Sequence, residues 1–153
     1  MNINPMTTSQ RTTTKGRSEE LIELVTANKI NIYYTMIPTH IQHTFNGKEI
    51  VAMRDNGVVI NNAQDFLELI MNLPSERIVF YKENFNESFF DLRSGLAGEI
   101  LQKVSSYSRK LGIVGDHSRY ASRSLNDFMF ESNKGNSVLF VDSLDEALRR
   151  LSA

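Results

Sequence analysis

A short stretch near the middle of the chain holds a carboxylate, a guanidinium, a hydroxyl and two glycines. It reads Phe-Phe-Asp-Leu-Arg-Ser-Gly-Leu-Ala-Gly-Glu over residues 89–99. Arg93, Ser94 and Gly95 stand at the start of a predicted helix, where free N–H groups and the positive end of the helix dipole favour negative charge. A guanidinium adds charge-assisted hydrogen bonds. The first chemistry that these residues predict is therefore the binding of an anion or a phosphate.

Two further features of this stretch have two explanations each. Gly95 and Gly98 are poor helix formers in the first turns of the predicted helix. They either let a ligand or a partner's backbone come close, or they let the helix pack tightly on a sheet. Phe85, Phe89 and Phe90 lie in the loop before the helix. They form either a hydrophobic plug or an exposed contact patch, and we predict the plug.

Polar residues also follow two other predicted strands. Because ligands and partners of open parallel sheets tend to meet the loops after the carboxyl ends of the strands, we expect the loops 82–93, 115–123 and 142–143 to form one rim. For any single serine or aspartate in these loops the simpler role is a helix cap, and Ser143 is predicted to be only a cap. The predicted binding residues are Asp91, Arg93, Ser94, Gly95, Asp116, Ser118, Arg119, Ser122, Ser124 and Asn126.

Catalytic and metal-binding residues are harder to find. Asp91 and Asp116 would serve as paired carboxylates in acid–base chemistry if they lay close together. His117 has no evident nucleophile beside it, so we predict a surface histidine. His40 and His43 lie three residues apart near a predicted strand and should point to opposite faces, which excludes a metal pair. Glycine-rich phosphate loops and the zinc-protease helix motif are absent. We therefore assign no catalytic residue, no metal and no cofactor.

Size and composition limit the classes of function. The chain has 153 residues, a formal net charge of −1 and no cysteine. The charge provides no general attraction to nucleic acid or to an anionic membrane. Disulfides and thiolate metal sites are excluded, which fits a cytoplasmic location. No apolar run approaches the roughly 20 residues of a membrane helix. We predict a cytoplasmic protein that binds neither nucleic acid nor membrane.

The order of predicted elements indicates an α/β fold. Asn46-Gly47 accepts the positive φ angles of a type I′ turn, so residues 41–45 and 49–53 should pair as a hairpin. Alternating helices and strands follow, and these require right-handed crossovers and a parallel sheet. The first predicted helix is capped by Asn61 or Asn62 and runs to about 72, and the second spans 93–108. The third begins at Ser122 or Ser124 and ends at 134–136, and the fourth spans 144–151. The predicted strands span 77–81, 111–114 and 138–141. We expect a mainly parallel mixed sheet with an N-terminal antiparallel hairpin and flanking helices.

The chain divides into three predicted regions. Residues 1–17 are rich in Thr and Ser, and a segment this polar buries too little to offset its ordering entropy, so we predict a disordered tail. Residues 18–40 are predicted to form an extension with a short helix capped by Ser18 and a strand over Ile32–Ile37. Residues 41–153 are predicted to form a single domain.

Several of these motifs resemble a known family. The stretches FFDLRSGLAGEILQK at 89–103, LGIVGD at 111–116, SRSLNDF at 122–128 and ESNKG at 131–135 closely resemble the bacterial family called domain of unknown function 4180. The resemblance runs from about Ile41 to Leu151. It implies a bacterial origin, and it implies no activity because the family is uncharacterised.

A more distant likeness concerns the STAS fold of anti-sigma factor antagonists and sulfate-transporter tails. In those proteins an Asp-Ser-x-Gly-Leu stretch starts the helix after a central strand, and a partner kinase phosphorylates its serine. Here Ser94-Gly95-Leu96 is similar to the end of that stretch. Arg93 stands where the phosphorylated serine aligns, and Asp91 is displaced by one residue. The likeness therefore implies a partner-docking edge without the phosphorylation switch.

These observations predict a STAS-like regulatory module that binds another protein and is not an enzyme. Its contact surface would be the edge 91–99 and the loop 115–124, and a homodimer is an additional expectation. The first alternative is a module that binds a small anionic ligand or a nucleotide at Arg93-Ser94-Gly95. The second alternative is a hydrolytic enzyme that uses Asp91, Asp116 or His117.

Overall fold

The described part of the protein is built around a five-stranded mixed sheet. The computed structural model describes residues 39–54 and 57–153. The strands follow one another across the sheet in chain order, with an antiparallel first pair and parallel neighbours thereafter. The predicted mixed, mainly parallel sheet with an N-terminal hairpin is confirmed. The strands are β1 (His40–Phe45), β2 (Lys48–Met53), β3 (Arg77–Tyr81), β4 (Lys110–Val114) and β5 (Val138–Val141).

The hairpin between β1 and β2 follows from its two turn residues. Asn46 has φ 51° and Gly47 has φ 74°. Positive φ at both central positions defines the type I′ turn, whose twist matches that of the flanking strands. Phe45 then pairs with Lys48 across the turn. The local sequence signal was sufficient here because the turn is determined by the conformational preferences of two adjacent residues.

Four α-helices accompany the sheet within the described residues, and one begins later than predicted. The prediction of a helix from Arg93 was wrong, because Leu92–Ser94 form a 3₁₀ turn and Gly95 takes the left-handed conformation at φ 82°. The α-helix starts only after this break. Side chains cap the other three helices: Ser143 as predicted, Asn62 rather than its alternative Asn61, and Ser122 rather than its alternative Ser124. The helices are α1 (Ala63–Met71), α2 (Leu96–Ser106), α3 (Arg123–Ser132) and α4 (Leu144–Leu151).

The helices form two layers of unequal size. Buried side chains of α1, α2 and α3 share one core with one face of the sheet, and those of α4 form a second core with the other face. This follows from the strand order, since successive right-handed crossovers in one direction leave their helices on one face. Gly112 in β4 admits α4 closely, because a Cβ there would lie 3.4 Å from both Ala147 Cβ and Leu151 Cδ1.

The carboxyl ends of the parallel strands meet at one edge of the sheet. We call the loops that leave β3, β4 and β5 there, residues 82–95, 115–122 and 142–143, the carboxyl edge. A helix with the length and apolar character of a membrane span is not found in residues 39–54 and 57–153. The predicted tail, the Ser18 helix, the Ile32–Ile37 strand and the turn residues Asp55 and Asn56 lie outside the described residues.

Candidate functional site

The phenylalanines of the first loop form a plug inside the protein. Phe85, Phe89 and Phe90 are all buried. The Phe89 ring lies 4.5 Å from that of Phe85 and 6.5 Å from that of Phe140, measured between centroids. The predicted plug is confirmed, and the exposed contact patch is not formed by these rings. Asp91, Arg93 and Ser94 follow directly after these buried rings in the same loop.

Asp91 and Arg93 bind each other at the surface of this loop. The Asp91 carboxylate accepts the backbone N–H of Arg93 at 3.1 Å, Nε at 3.1 Å and Nη2 at 3.3 Å. These hydrogen bonds lower the pKa of Asp91 below its usual value and raise that of Arg93. The guanidinium side chain is 92% exposed. Its charge is therefore accessible to a partner but already paired within the loop.

Ser94 and the two glycines shape the start of α2. The Ser94 hydroxyl donates to the C=O of Ser88 and accepts the N–H of Leu96 at 3.1 Å. A Cβ added at Gly95 or at Gly98 would meet no atom within 4 Å. Tight packing of the helix on the sheet therefore does not account for Gly98. The Ser94 hydroxyl and the Leu96 N–H are therefore already used in local hydrogen bonds and are not free for the predicted anion. Gly95 and Gly98 leave two exposed positions without side chains at the helix start.

The loop after β4 contains a second local pair. The Asp116 carboxylate accepts the backbone N–H of Ser118 at 3.0 Å and also the Ser118 hydroxyl. These bonds, and then the positive charges of Lys82 and Arg119, lower the pKa of Asp116. Arg119 Nη2 lies 3.6 Å from Glu87 Oε2, so this ion pair joins the loop after β4 to the loop after β3.

His117 is buried, and the prediction of a surface histidine was wrong. The residue is 9% exposed. Its Nε2–H donates to the C=O of Ile113 at 3.1 Å, and its ring stands edge-on to Phe140 at 5.5 Å. Removal from solvent lowers the pKa of His117, and so favours the neutral ring. Nδ1 is buried without a hydrogen-bond partner among the described residues. The side chains that bury this ring come from segments distant in sequence. The residues next to His117 in sequence therefore did not indicate that it is buried.

Lys82 and Tyr120 are central to the carboxyl edge and were missed. Lys82 is 8% exposed, and its stem occupies the place where a Cβ of Gly115 would be. Its Nζ lies 5.3 Å from the centroid of the Tyr120 ring. That ring stacks on Phe90 at 4.9 Å, and its buried hydroxyl has no hydrogen-bond partner in the described residues. A sequence signal existed for Lys82, since it directly follows a predicted buried strand.

The remaining predicted residues act mainly in local structure. The Ser122 hydroxyl accepts the N–H of Leu125 at 3.2 Å and so caps α3. Asn126 Nδ2 donates to the C=O of Tyr120 at 3.1 Å and anchors the preceding loop. Ser124 is exposed in the first turn of α3. The helix-cap alternative therefore describes Ser122, and the anchoring role of Asn126 was not predicted.

The structure brings the loops after β3 and β4 together in part. The Phe90–Tyr120 stack and the Arg119–Glu87 ion pair connect them. The described contacts of Asp91 stay within its own loop, as do those of Asp116. These contacts do not join the two carboxylates and His117 into one catalytic set. Within residues 39–54 and 57–153, no three His, Asp or Glu side chains are grouped to hold a metal ion.

Comparison with known proteins gives a family. The family model described as "Domain of unknown function (DUF4180)" matches residues 45–151. No curated protein and no solved structure matches the chain. The matched segment spans β2 to α4 and contains the entire carboxyl edge. Since the match extends over more than half of the sequence, the chain belongs to the DUF4180 family of domains of unknown function.

Proposed function

We propose that this protein is a STAS-like, non-enzymatic regulatory module of the bacterial cytoplasm that binds another protein. The contact surface consists of the edge 91–99, which includes the start of α2, and the loop 115–124. These segments carry the exposed Asp91–Arg93 pair and the exposed residues of the loop after β4. The plug beneath them gives the surface a rigid base.

The observation that carries the proposal is the bare start of α2. Gly98 is exposed, and a Cβ there would meet no atom within 4 Å. Glycine in a helix costs about 1 kcal/mol relative to alanine. Because the described residues give no internal reason for that cost, close approach by a partner's backbone is the explanation we retain. Gly95, one position before the helix, extends the same bare surface and is required by its positive φ.

The STAS likeness is supported by element order and by residue position. A hairpin and the helix α1 are followed by three strand–helix repeats, and Ser94-Gly95-Leu96 leads into the helix after β3. Arg93 occupies the position of the phosphorylated serine in STAS proteins, and the hydroxyl of Ser94 is already bonded on both sides. The proposal therefore includes docking at this helix start and excludes switching by phosphorylation there.

The test compares variants that alter this surface with one that does not. Gly98→Arg adds a long side chain to the bare surface, and Arg93→Glu reverses the exposed charge. Ser105→Arg is the matched control, since Ser105 is exposed on the same helix seven residues further on. We expect quantitative pull-downs from the native host to lose the same partner with Gly98→Arg and Arg93→Glu but not with Ser105→Arg. Recovery of identical partners by the wild type and all three variants would contradict the proposal.

A second candidate is a small-ligand module, and one observation favours it. Nδ1 of His117 and the hydroxyl of Tyr120 are buried without partners among the described residues, and the Tyr120 ring centroid lies 5.3 Å from the ammonium group of Lys82. Unsatisfied buried polar atoms of this kind often mark bound water or ligand. Titration with inorganic phosphate, followed by amide NMR, distinguishes a binding site beside Lys82 and Tyr120 from one at the start of α2. Shifts at Lys82 and Tyr120 favour this candidate, shifts at residues 93–96 favour the anion site first predicted, and no shifts remove both.

A further inference from the structure

The outer edge of β1 presents unpaired backbone groups within the described part of the chain. Arg54 N–H donates to Thr39 C=O at 2.9 Å, and this pair lies in register with Ile41–Ala52. Since hydrogen-bonded pairs alternate along an antiparallel ladder, the odd-numbered residues of β1 bond to β2. The N–H and C=O groups of His40, Gln42 and Thr44 therefore point away from the sheet.

A side chain occupies part of the opposite edge of the sheet. Asn133 Nδ2 donates to Phe140 C=O at 3.0 Å, and Phe140 N–H donates to Asn133 Oδ1 at 2.7 Å. One amide thus satisfies both backbone groups of Phe140, one of the two residues of β5 that face away from β4. Arg150 holds the turn in place through bonds to Asn133 C=O at 2.8 Å and Gly135 C=O at 3.2 Å.

Judged over residues 39–54 and 57–153, the edge of β1 has none of the protections that sequence or register usually provides. Proteins protect edge strands with lysine, proline, bulges or short length. The six residues of β1 are His-Ile-Gln-His-Thr-Phe, with no Lys, Asp, Glu or Pro, and their register with β2 is unbroken. Ile41, Gln42 and Thr44 are exposed. Strand addition is therefore blocked at Phe140 of β5, whereas β1 is able to accept a strand along its length.

We propose that β1 pairs antiparallel with β1 of a second copy of this chain, about a two-fold axis at Gln42. In this register His40 faces Thr44 of the second copy, and Gln42 faces its own equivalent. All the outward N–H and C=O groups of β1 are then used. The described strands of the two sheets then form one ten-stranded sheet, with the Asn133–Phe140 bonds at each end.

A second copy is the partner because the edge is complementary to itself. A two-fold interface places the same patch on both subunits, so a strand whose charges all have one sign, or which has a charge on the axis, would repel its copy. β1 has no fixed charge, and the amide of Gln42 both donates and accepts across the axis. Ile41, which is 42% exposed, comes to lie opposite His43 of the second copy. A strand pair alone buries less than the roughly 1,200 Å² of standard interfaces, so we expect a dissociation constant between about 1 μM and 1 mM.

Gln42→Pro in the full chain tests the pairing without breaking the hairpin. The N–H of Gln42 points outward, so proline removes a bond to the second copy and no bond to β2. Gln42→Thr is the matched control, because it keeps the N–H and suits a strand. Sedimentation velocity over about 10 μM to 1 mM should show concentration-dependent dimers for wild type and Gln42→Thr. Gln42→Pro should raise the dissociation constant by at least about tenfold.

Hydrogen exchange on the same proteins identifies the strand. In wild type, the amides of His40, Gln42 and Thr44 should gain protection as concentration rises, and those of Ile41 and His43 should be protected throughout. Ile41 and His43 should stay protected in Gln42→Pro, which shows that the hairpin remains folded. A monomer at all concentrations, equal dimerisation of wild type and Gln42→Pro, or concentration-independent protection at His40 and Thr44 would each overturn the proposal.

Discussion

Replacing Gly115 with alanine tests how Lys82 is held at the carboxyl edge. The added Cβ would lie 2.5 Å from Cδ, 2.6 Å from Cγ and 3.2 Å from Cβ of Lys82. Non-bonded carbon atoms rest about 3.5–4.0 Å apart, so the lysine stem must move away. The stem leaves a place in which the residue is only 8% exposed. We expect the free energy of unfolding to fall by about 1–3 kcal/mol, which is the usual cost of overpacking.

A double-mutant cycle identifies the lysine stem as the cause. Lys82→Ala removes Cγ and Cδ, the two atoms closest to the added Cβ. In this background Gly115→Ala should cost at least about 1 kcal/mol less than it does in the wild type, because contacting residues are energetically coupled. Urea unfolding of the four proteins, followed by circular dichroism, gives the four free energies. Costs that add to within about 0.5 kcal/mol would refute the reasoning.

Two further predictions concern stability. His117 has a pKa below 6.5 in the folded protein because it is buried. Below about pH 6.5 the unfolded chain therefore binds more protons than the folded protein. The contribution of His117 to the free energy of unfolding is fully present above that pH, and it decreases by up to about 1.4 kcal/mol for each pH unit below it. His117→Gln should remove this contribution to the slope in urea unfolding between about pH 7 and pH 5, and equal slopes in both proteins would contradict the assignment. Ser122→Ala should cost about 1 kcal/mol through loss of the α3 cap, while the control Ser124→Ala should change stability by less than about 0.5 kcal/mol. Thermal unfolding measures both, and equal effects would mean that the Ser122 hydroxyl contributes nothing as a cap.

Most of the architecture could be predicted because its signals are local. Asn46-Gly47 specifies the hairpin through the φ angles of two residues. Ser143 caps α4 by accepting the N–H of Glu146, three residues away, at 3.2 Å. The alternation of strands and helices then restricts the sheet to parallel crossovers. Such features depend on neighbours in sequence, so one sequence is sufficient to find them.

The carboxyl edge was predicted only in outline. Strand order implied that the loops after β3 and β4 share one edge, and the Arg119–Glu87 pair shows them in contact. The start of α2 was placed too early because Gly95 breaks the helix and Ser94 bonds back to Ser88. Helical periodicity contains no information about that backward hydrogen bond.

By itself the sequence determined the α/β class, the hairpin, the helix caps and the family, since these depend on local preferences or on contiguous motifs. Tertiary structure alone decided that His117 is buried against Phe140 and that Lys82 lies across Gly115. It also decided that the Asn133 side chain bonds both backbone groups of Phe140 in β5. The physical reason is that burial and packing depend on which distant segments fold against a residue, and the pattern around that residue does not record them.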